Sequence, residues 1–280
     1  MFCPPTLAAR IDRAEGRLCA ATAQSAEGLV LAVGGGSAIF AGPDSPTNKM
    51  IGVGYDGAVA SSAFEEVETQ FAARGARLQA EVSTLADPSI HSMLAARGYV
   101  PSGFENVLGH PLKDSVLPMP EGMAITPIGR DDFPIFADVL VEAFANPDVG
   151  GVGGDEAPPP ELLRQWVLVT LSLPGFHGYF ARIGGEVAGG AAIRVDDGIA
   201  AFCGAGTLPR FRRRGVQTAL IRSRLADAAK LGCEVAVVVT QPASRSQQNA
   251  QREGFELMYA RQLLVKAFGE PSPASVRSVI

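Results

Sequence analysis

Apolar residues recur along this chain at two spacings, and the spacing changes from one stretch to the next. Residues 5–22 set Leu7, Ile11 and Leu18 at helical intervals, which predicts a helix with one apolar face. "GLVLAV" and "SAIFAG" then predict two short strands around a Gly34-Gly35-Gly36 turn, and "KMIGVG" a third. Helical spacing returns over residues 60–73 through Phe64, Val67 and Phe71. "RLQAEVS" reads as a strand. "DPSIHSMLAARG" reads as a helix with Asp87 as its cap, Pro88 at its first position and Gly98 at its end. "YVPSGFENVLGHPL" is mostly extended.

"KDSVLPMPEGM" combines prolines with polar residues and is the best linker in the chain. Beyond it, "AITPI" predicts a strand, and "DDFPIFADVLVEAFA" and "ELLRQWVLVTLSL" predict helices. The acidic "NPDVGGVGGDEAPPP" between the two helices is too rich in glycine and proline to pack as an element. "GYFARI", "VAGGAAIRV" and "IAAFCGAGTL" predict strands joined by turns at Gly184-Gly185 and Asp196-Asp197-Gly198. A helix follows from Gly215 to Gly232. "EVAVVV", apolar throughout, suits a strand buried on both faces. A short helix at "SRSQQNAQREG" and a closing strand at "FELMYARQLLVKAF" complete the order.

That order occurs twice. Each half runs strand, long helix, glycine, strand, short helix, a second glycine with an aromatic, and a final extended run. Gly75 to Gly98 and Gly232 to Gly254 are nearly equal intervals, and "ARGYVPSGFENVLGHPL" lies over "QREGFELMYARQLLVKAF". A repeated supersecondary unit is the economical account. It predicts two domains, residues 1–112 and 122–280, joined by a linker at 113–121.

Composition narrows the function. The net charge of −5 argues against general nucleic-acid binding, which rests on clustered Lys and Arg. Cys3, Cys19, Cys203 and Cys233 have no metal or disulfide spacing, so a reducing, cytoplasmic setting is expected, with no metal. "GLVLAVGGGSAIFAG" is too short for a membrane span, and the N-terminal stretch lacks the pattern of a signal peptide.

Local charge is informative at "FRRRGVQTAL", where Arg212, Arg213 and Arg214 precede a helix N-terminus. That end is already positive and ordinarily favours acidic side chains. An anion seated on the unpaired N–H groups removes the conflict, and Gly215 allows its close approach. The alternative is a solvated basic loop before an ordinary helix.

"AGTLPRFRRRGVQTALI" resembles the acetyl-CoA motif of GNAT N-acetyltransferases, in which a strand leads through proline into Q/R-x-x-G-x-G/A and a helix. Arg212, Arg213, Arg214, Gly215, Val216 and Gln217 occupy those places, and Gln217 departs from the usual final Gly or Ala. "CEVAVVV" and "SQQNAQREGF" are similar to the family's next strand and helix, so the resemblance covers about residues 122–267. It implies two GNAT-like α/β domains, each a mixed, mostly antiparallel sheet flanked by helices, with the first half degenerate. It also implies acetyl transfer from acetyl-CoA to an amine, with a small-molecule acceptor. The diphosphate would lie on the backbone from Arg213 to Thr218, with Arg212 or Arg214 reaching a nucleotide phosphate. Pantetheine would pair with the strand near Gly206, Thr207 and Leu208 and meet Asn249. Because GNAT sheets often pair between subunits, the halves would form an internal pseudo-dimer, or the chain a homodimer.

The catalytic groups are less legible. The tyrosine that many family members carry after the fifth strand falls at Ala250 here. Glu142 is a candidate base and Tyr259 a candidate acid, each against the plainer reading of a solvated helix face or a core aromatic. Asp155 and Glu156 would attract a cationic acceptor. Cys203 alternates with core residues and reads as core, while His91, His110 and His177 are scattered. The missing tyrosine leaves a non-catalytic acyl-CoA sensor as an alternative. "GVGYDG", with Glu81 beyond it, leaves a nicotinamide enzyme as another.

Overall fold

The structure is a computed structural model and describes residues 1–26, 28–43, 45, 47–112, 118–147 and 159–268. Residues 113–117 of the expected linker, and Asp155 and Glu156, lie outside the described residues. Two compact units divide the chain differently from its sequence halves. One holds residues 2–106 with 259–280, and the other holds Met1 with 107–258.

The first unit begins with α1 (Pro5–Ser25), the hairpin β1 (Leu29–Val33) and β2 (Gly36–Phe40), and β3 (Lys49–Ile51). It continues through α2 (Ser61–Ala72), β4 (Leu78–Ser83), α3 (Ser89–Ala96) and the first part of β5 (Val100–Pro111). Its sheet runs β1-β2-β3-β4-β11-β5, where β11 (Glu256–Lys266) is the last strand of the chain. β3 and β4 are parallel, and β11 lies antiparallel to β4 from Arg261↔Ser83 to Lys266↔Leu78. Phe64, Val67 and Phe71, the apolar stripe of α2, are all buried, as their spacing predicts.

Between α1 and this sheet lies a buried ionic cluster. Arg261, fully buried, meets Asp12 at 2.6 Å, Glu15 at 2.7 Å and Glu81 at 3.2 Å, with Glu105 at 3.6 Å. Lys49 bridges Glu15 at 3.0 Å and Glu81 at 2.6 Å. Tyr55 and Tyr259 both donate to Asp12, at 2.8 and 2.5 Å. Four carboxyl groups thus face two cations among the described residues. Burial, reinforced by the charge of Glu81 and opposed by Lys49 and Arg261, pushes Glu105 up to about 8. The folded chain therefore holds a proton there that the unfolded chain releases near pH 4.5, so stability falls as pH rises toward 8. Thermal denaturation is expected to show a midpoint lower at pH 8.5 than at pH 6 by a few degrees, and Glu105→Gln is expected to flatten that slope. An unchanged slope in the variant would assign the pH dependence to other groups.

The second unit contains β6 (Met123–Pro127), α4 (Phe133–Ala145), α5 (Pro160–Leu171), β7 (Phe176–Ile183), β8 (Glu186–Asp196) and β9 (Ile199–Thr207). It continues through α6 (Val216–Lys230), β10 (Val235–Thr240) and α7 (Arg245–Arg252). The strand order is β11-β5-β10-β9-β8-β7-β6, with β5 contributing 107–111 and β11 only 256–258. β6 to β9 are antiparallel neighbours, and β9 pairs with β10 in parallel. Adjacent strand residues point to opposite faces. A Cβ on Gly189 would meet Val216 of α6 at 2.9 Å, and one on Gly190 would meet Phe136 of α4 at 2.9 Å, so the two helices cover opposite faces.

Both units are mixed α/β with mostly antiparallel sheets flanked by helices, as the sequence implies, and the strand–helix–parallel strand step occurs in each. No helix among the described residues is long and apolar enough to cross a membrane.

Candidate coenzyme cleft

β9 and β10 stay in register only from Ile199↔Val235 to Phe202↔Val238. Both strands continue, β9 to Thr207 and β10 to Thr240, so residues 203–207 extend past their last registered partner. On its other side β9 bulges, because register shifts between Gly190 and Ala192, which face Gly206 and Cys203. A bulge bends a strand and re-aims the groups that follow it. Buried Arg224 pins this bulge. Its Nη1 donates to the Ala192 carbonyl at 3.1 Å, and its guanidinium lies 4.3 Å above the Phe202 ring. Burial pulls its pKa down to about 10, which leaves it cationic at neutral pH.

The chain then passes a single 3-10 turn at Pro209–Phe211 and reaches α6. Gly215 is the N-cap, at φ +81°, with no capping side chain and no acidic residue in the first turn. Arg213, two residues earlier, also adopts a left-handed φ of +61°. Such a conformation costs a non-glycine residue roughly 1–2 kcal/mol, so the surrounding fold must impose it. The result is an uncapped, positive helix end beside an unpaired strand edge.

A cleft of about 790 Å³ joins the two features. Gly206, Thr207, Arg212, Arg213, Gly215, Val216, Gln217, Thr218 and Asn249 line it. Of the coenzyme residues expected from the sequence, Leu208 and Arg214 do not. Leu208 is buried in the core with its N–H on the Ala188 carbonyl at 3.0 Å, and Arg214 lies 5.5 Å over the Phe211 ring. Arg212 donates to the carbonyls of Ala143 and Asn146, which ties the loop to the end of α4. Arg245, Ser246 and Arg252 also line the cleft and were missed in the sequence. Residues 245, 249 and 252 fall on one helical face, so extending the helix period from Asn249 finds both arginines.

Neither candidate catalytic residue lines the cleft, and each fits the plainer reading, a solvated helix face and a core aromatic. Glu142 is exposed on α4 and is not among the lining residues. Tyr259 belongs to the first unit, where it donates to Asp12, and burial holds its pKa well above the usual phenol value. Ala250 is buried. Burial pushes the Cys203 thiol up to about 11, so it stays protonated. The histidines are dispersed. His91 bonds Gln262 at 2.9 Å, His110 packs on Phe255 with ring centroids 5.4 Å apart, and His177 lies on β7.

The Gly52–Gly57 loop does not open a helix, since α2 starts only at Ser61. Gly54, at φ +83°, packs where a Cβ would come within 2.7 Å of Ile90. Asp56 is bonded to Arg13 at 2.7 Å, and Glu81 is buried in the ionic cluster. The glycines of that loop are explained by backbone geometry and packing.

The Acetyltransferase (GNAT) family model matches residues 140–255, a span that includes the bulge, the arginine loop and α7. That stretch, less than half of the chain, is similar to the GNAT acetyltransferases. Solved structures extend the likeness of fold. A GCN5-related N-acetyltransferase from Kribbella flavida is 17% identical, with a TM-score of 0.65 over 94% of this chain and 98% of that one. A putative GNAT-family acetyltransferase from Novosphingobium aromaticivorans is 20% identical, with a TM-score of 0.53 over 93% and 99%. A tandem GNAT protein from the clavulanic acid biosynthesis pathway is 15% identical, with a TM-score of 0.53 over 76% and 69%. No curated protein matches the chain. The family match supports an acyltransferase, and the solved structures show the likeness of fold.

Proposed function

We propose that the GNAT domain transfers an acetyl group from acetyl-CoA to the amine of a small molecule. The observation that carries this reading is the meeting, in one cleft, of an uncapped helix N-terminus, four arginines and an unpaired strand edge. The N–H groups of Val216, Gln217 and Thr218 would hold the diphosphate, with Arg213, Arg245 and Arg252 supplying charge around it. The edge of β9 at 203–207 would pair with the pantetheine amides. The bound coenzyme supplies a thioester carbonyl open to attack by a neutral amine. Among the described lining residues the ionisable side chains are all arginines, so the cleft orients and holds charge and does not itself offer a proton acceptor. The first unit serves in this reading as a degenerate partner, its Asp56 engaged by Arg13 where the second unit has its arginine loop. A cytoplasmic location belongs to the same proposal and rests on four unbonded cysteines.

Gly215→Glu tests it. The new carboxylate would occupy and repel the diphosphate seat at the N-cap. Titration calorimetry with acetyl-CoA is expected to show at least a hundredfold loss of affinity, with the fold intact by circular dichroism. Unchanged affinity would remove the arginine loop from the site. Thiol release measured across amines, amino acids, aminoglycosides and peptides would then identify the acceptor. Tight acetyl-CoA binding without turnover on any amine would favour the sensor reading, to which the buried Ala250 already points.

A further inference from the structure

Gln217 stands where the family motif has a residue with little or no side chain, and its side chain is placed by a specific contact. Its Nε2 donates to Thr207 Oγ1 at 2.9 Å. Thr207 is the last residue of β9, and Gln217 is the second residue of α6. The bond therefore ties the end of the strand edge to the uncapped helix end, at the point where these two features meet. Both residues line the cleft and both are half-buried, so the pair forms part of its wall. Thr207 Oγ1 accepts from Gln217, which leaves its own O–H to donate. Gln217 keeps its Oε1 lone pairs and a second N–H. The pair thus offers a donor and an acceptor side by side, which is the complement of a hydroxyl or amide group.

We propose that Gln217 and Thr207 form a polar clasp that reads the hydroxyl-bearing segment of coenzyme A between its diphosphate and its amide arm. The inference rests on the reading of the cleft as a coenzyme site. If the arm follows residues 203–207 and the diphosphate sits on the helix end, the segment joining them passes the Gln217–Thr207 bond. That segment carries a hydroxyl and an amide carbonyl. The clasp makes these two side chains determinants of selectivity for the pantetheine-bearing coenzyme over nucleotides that lack it. Gln217 then supplies through its side chain a contact that a Gly or Ala at this place cannot make.

Calorimetric titration of the full chain with coenzyme A and with adenosine 3′,5′-bisphosphate, which lacks the arm, tests this. Gln217→Ala and Thr207→Val are each expected to weaken coenzyme A binding about 5- to 10-fold, the scale of one lost polar contact, with the bisphosphate unchanged. The double variant is expected to be little worse than either single one, because the two act as a unit. Thr207→Ser, which keeps the hydroxyl, is expected to retain the parent affinity. Melting curves on each variant separate a lost contact from a lost fold. Affinity within twofold of the parent in both single variants overturns the clasp, as does an equal loss for both ligands. If the parent chain does not bind coenzyme A at all, the coenzyme reading of the cleft fails and takes the clasp with it.

Discussion

Residues 122–280 expressed alone will fail to give a folded, soluble monomer, even though they contain every residue that lines the cleft and the whole span of the family match. The piece lacks residues 107–111, the part of β5 that stands between β10 and β11 in the second unit. Val107 and Leu108 are fully buried, and losing them removes about 1.5–3 kcal/mol of apolar burial each. β10 would also be left with an open edge, a template for association with other chains. The same piece carries residues 259–266 without their partner strand β4, exposing Leu264 and leaving Arg261 without its carboxylates. Size-exclusion chromatography is expected to show aggregate. Co-expression with residues 1–121 is expected to recover a soluble complex that binds coenzyme, because each piece then supplies the strand the other needs. A monomeric 122–280 with a cooperative unfolding transition would refute this.

The second large effect concerns Arg261→Met. The substitution leaves buried Asp12 and Glu81, and the partly exposed Glu15, without their shared guanidinium, with Lys49 still bridging Glu15 and Glu81. Removing one partner of a buried ion pair typically costs about 3–5 kcal/mol, because the remaining charge is neither solvated nor paired. Urea denaturation is expected to show a loss of that order, and Arg261→Lys is expected to recover only part of it, since an ammonium cannot reach several carboxylates with a planar fork. A loss below 1 kcal/mol would mean that the carboxylates find water or protons at little cost.

Much of this was legible in the chain. Helical spacing located α2 through Phe64, Val67 and Phe71, and the glycines at 34–36 located the first hairpin. The arginine loop with Gly215 marked the helix end that borders the cleft. What the sequence hid was tertiary. "YVPSGFENVLGHPL" and "FELMYARQLLVKAF" are extended runs whose local pattern does not say which strands they join, and both are divided between units. Tyr259 read as a core aromatic or a candidate acid, and nothing local reveals Asp12, far away in sequence, as its partner. Arg245 and Arg252 look like ordinary solvated charges until the placement of α7 gives their face a direction.

The division of β11 also has a consequence for how the protein is made. The first unit gathers Asp12, Glu15 and Glu81 early, but the arginine that compensates them arrives with β11. At ordinary translation speeds, the interval from Ser83 to Lys266, about 180 residues, corresponds to roughly 10–40 s. Through that time the nascent first unit holds carboxylates without their main cation and a β4 edge without its neighbour. Domains that fold as they leave the ribosome usually do so from the N-terminus onward. Here the first unit to be synthesised is completed only when β11 is made, and until then the edge of β4 lacks its β11 partner.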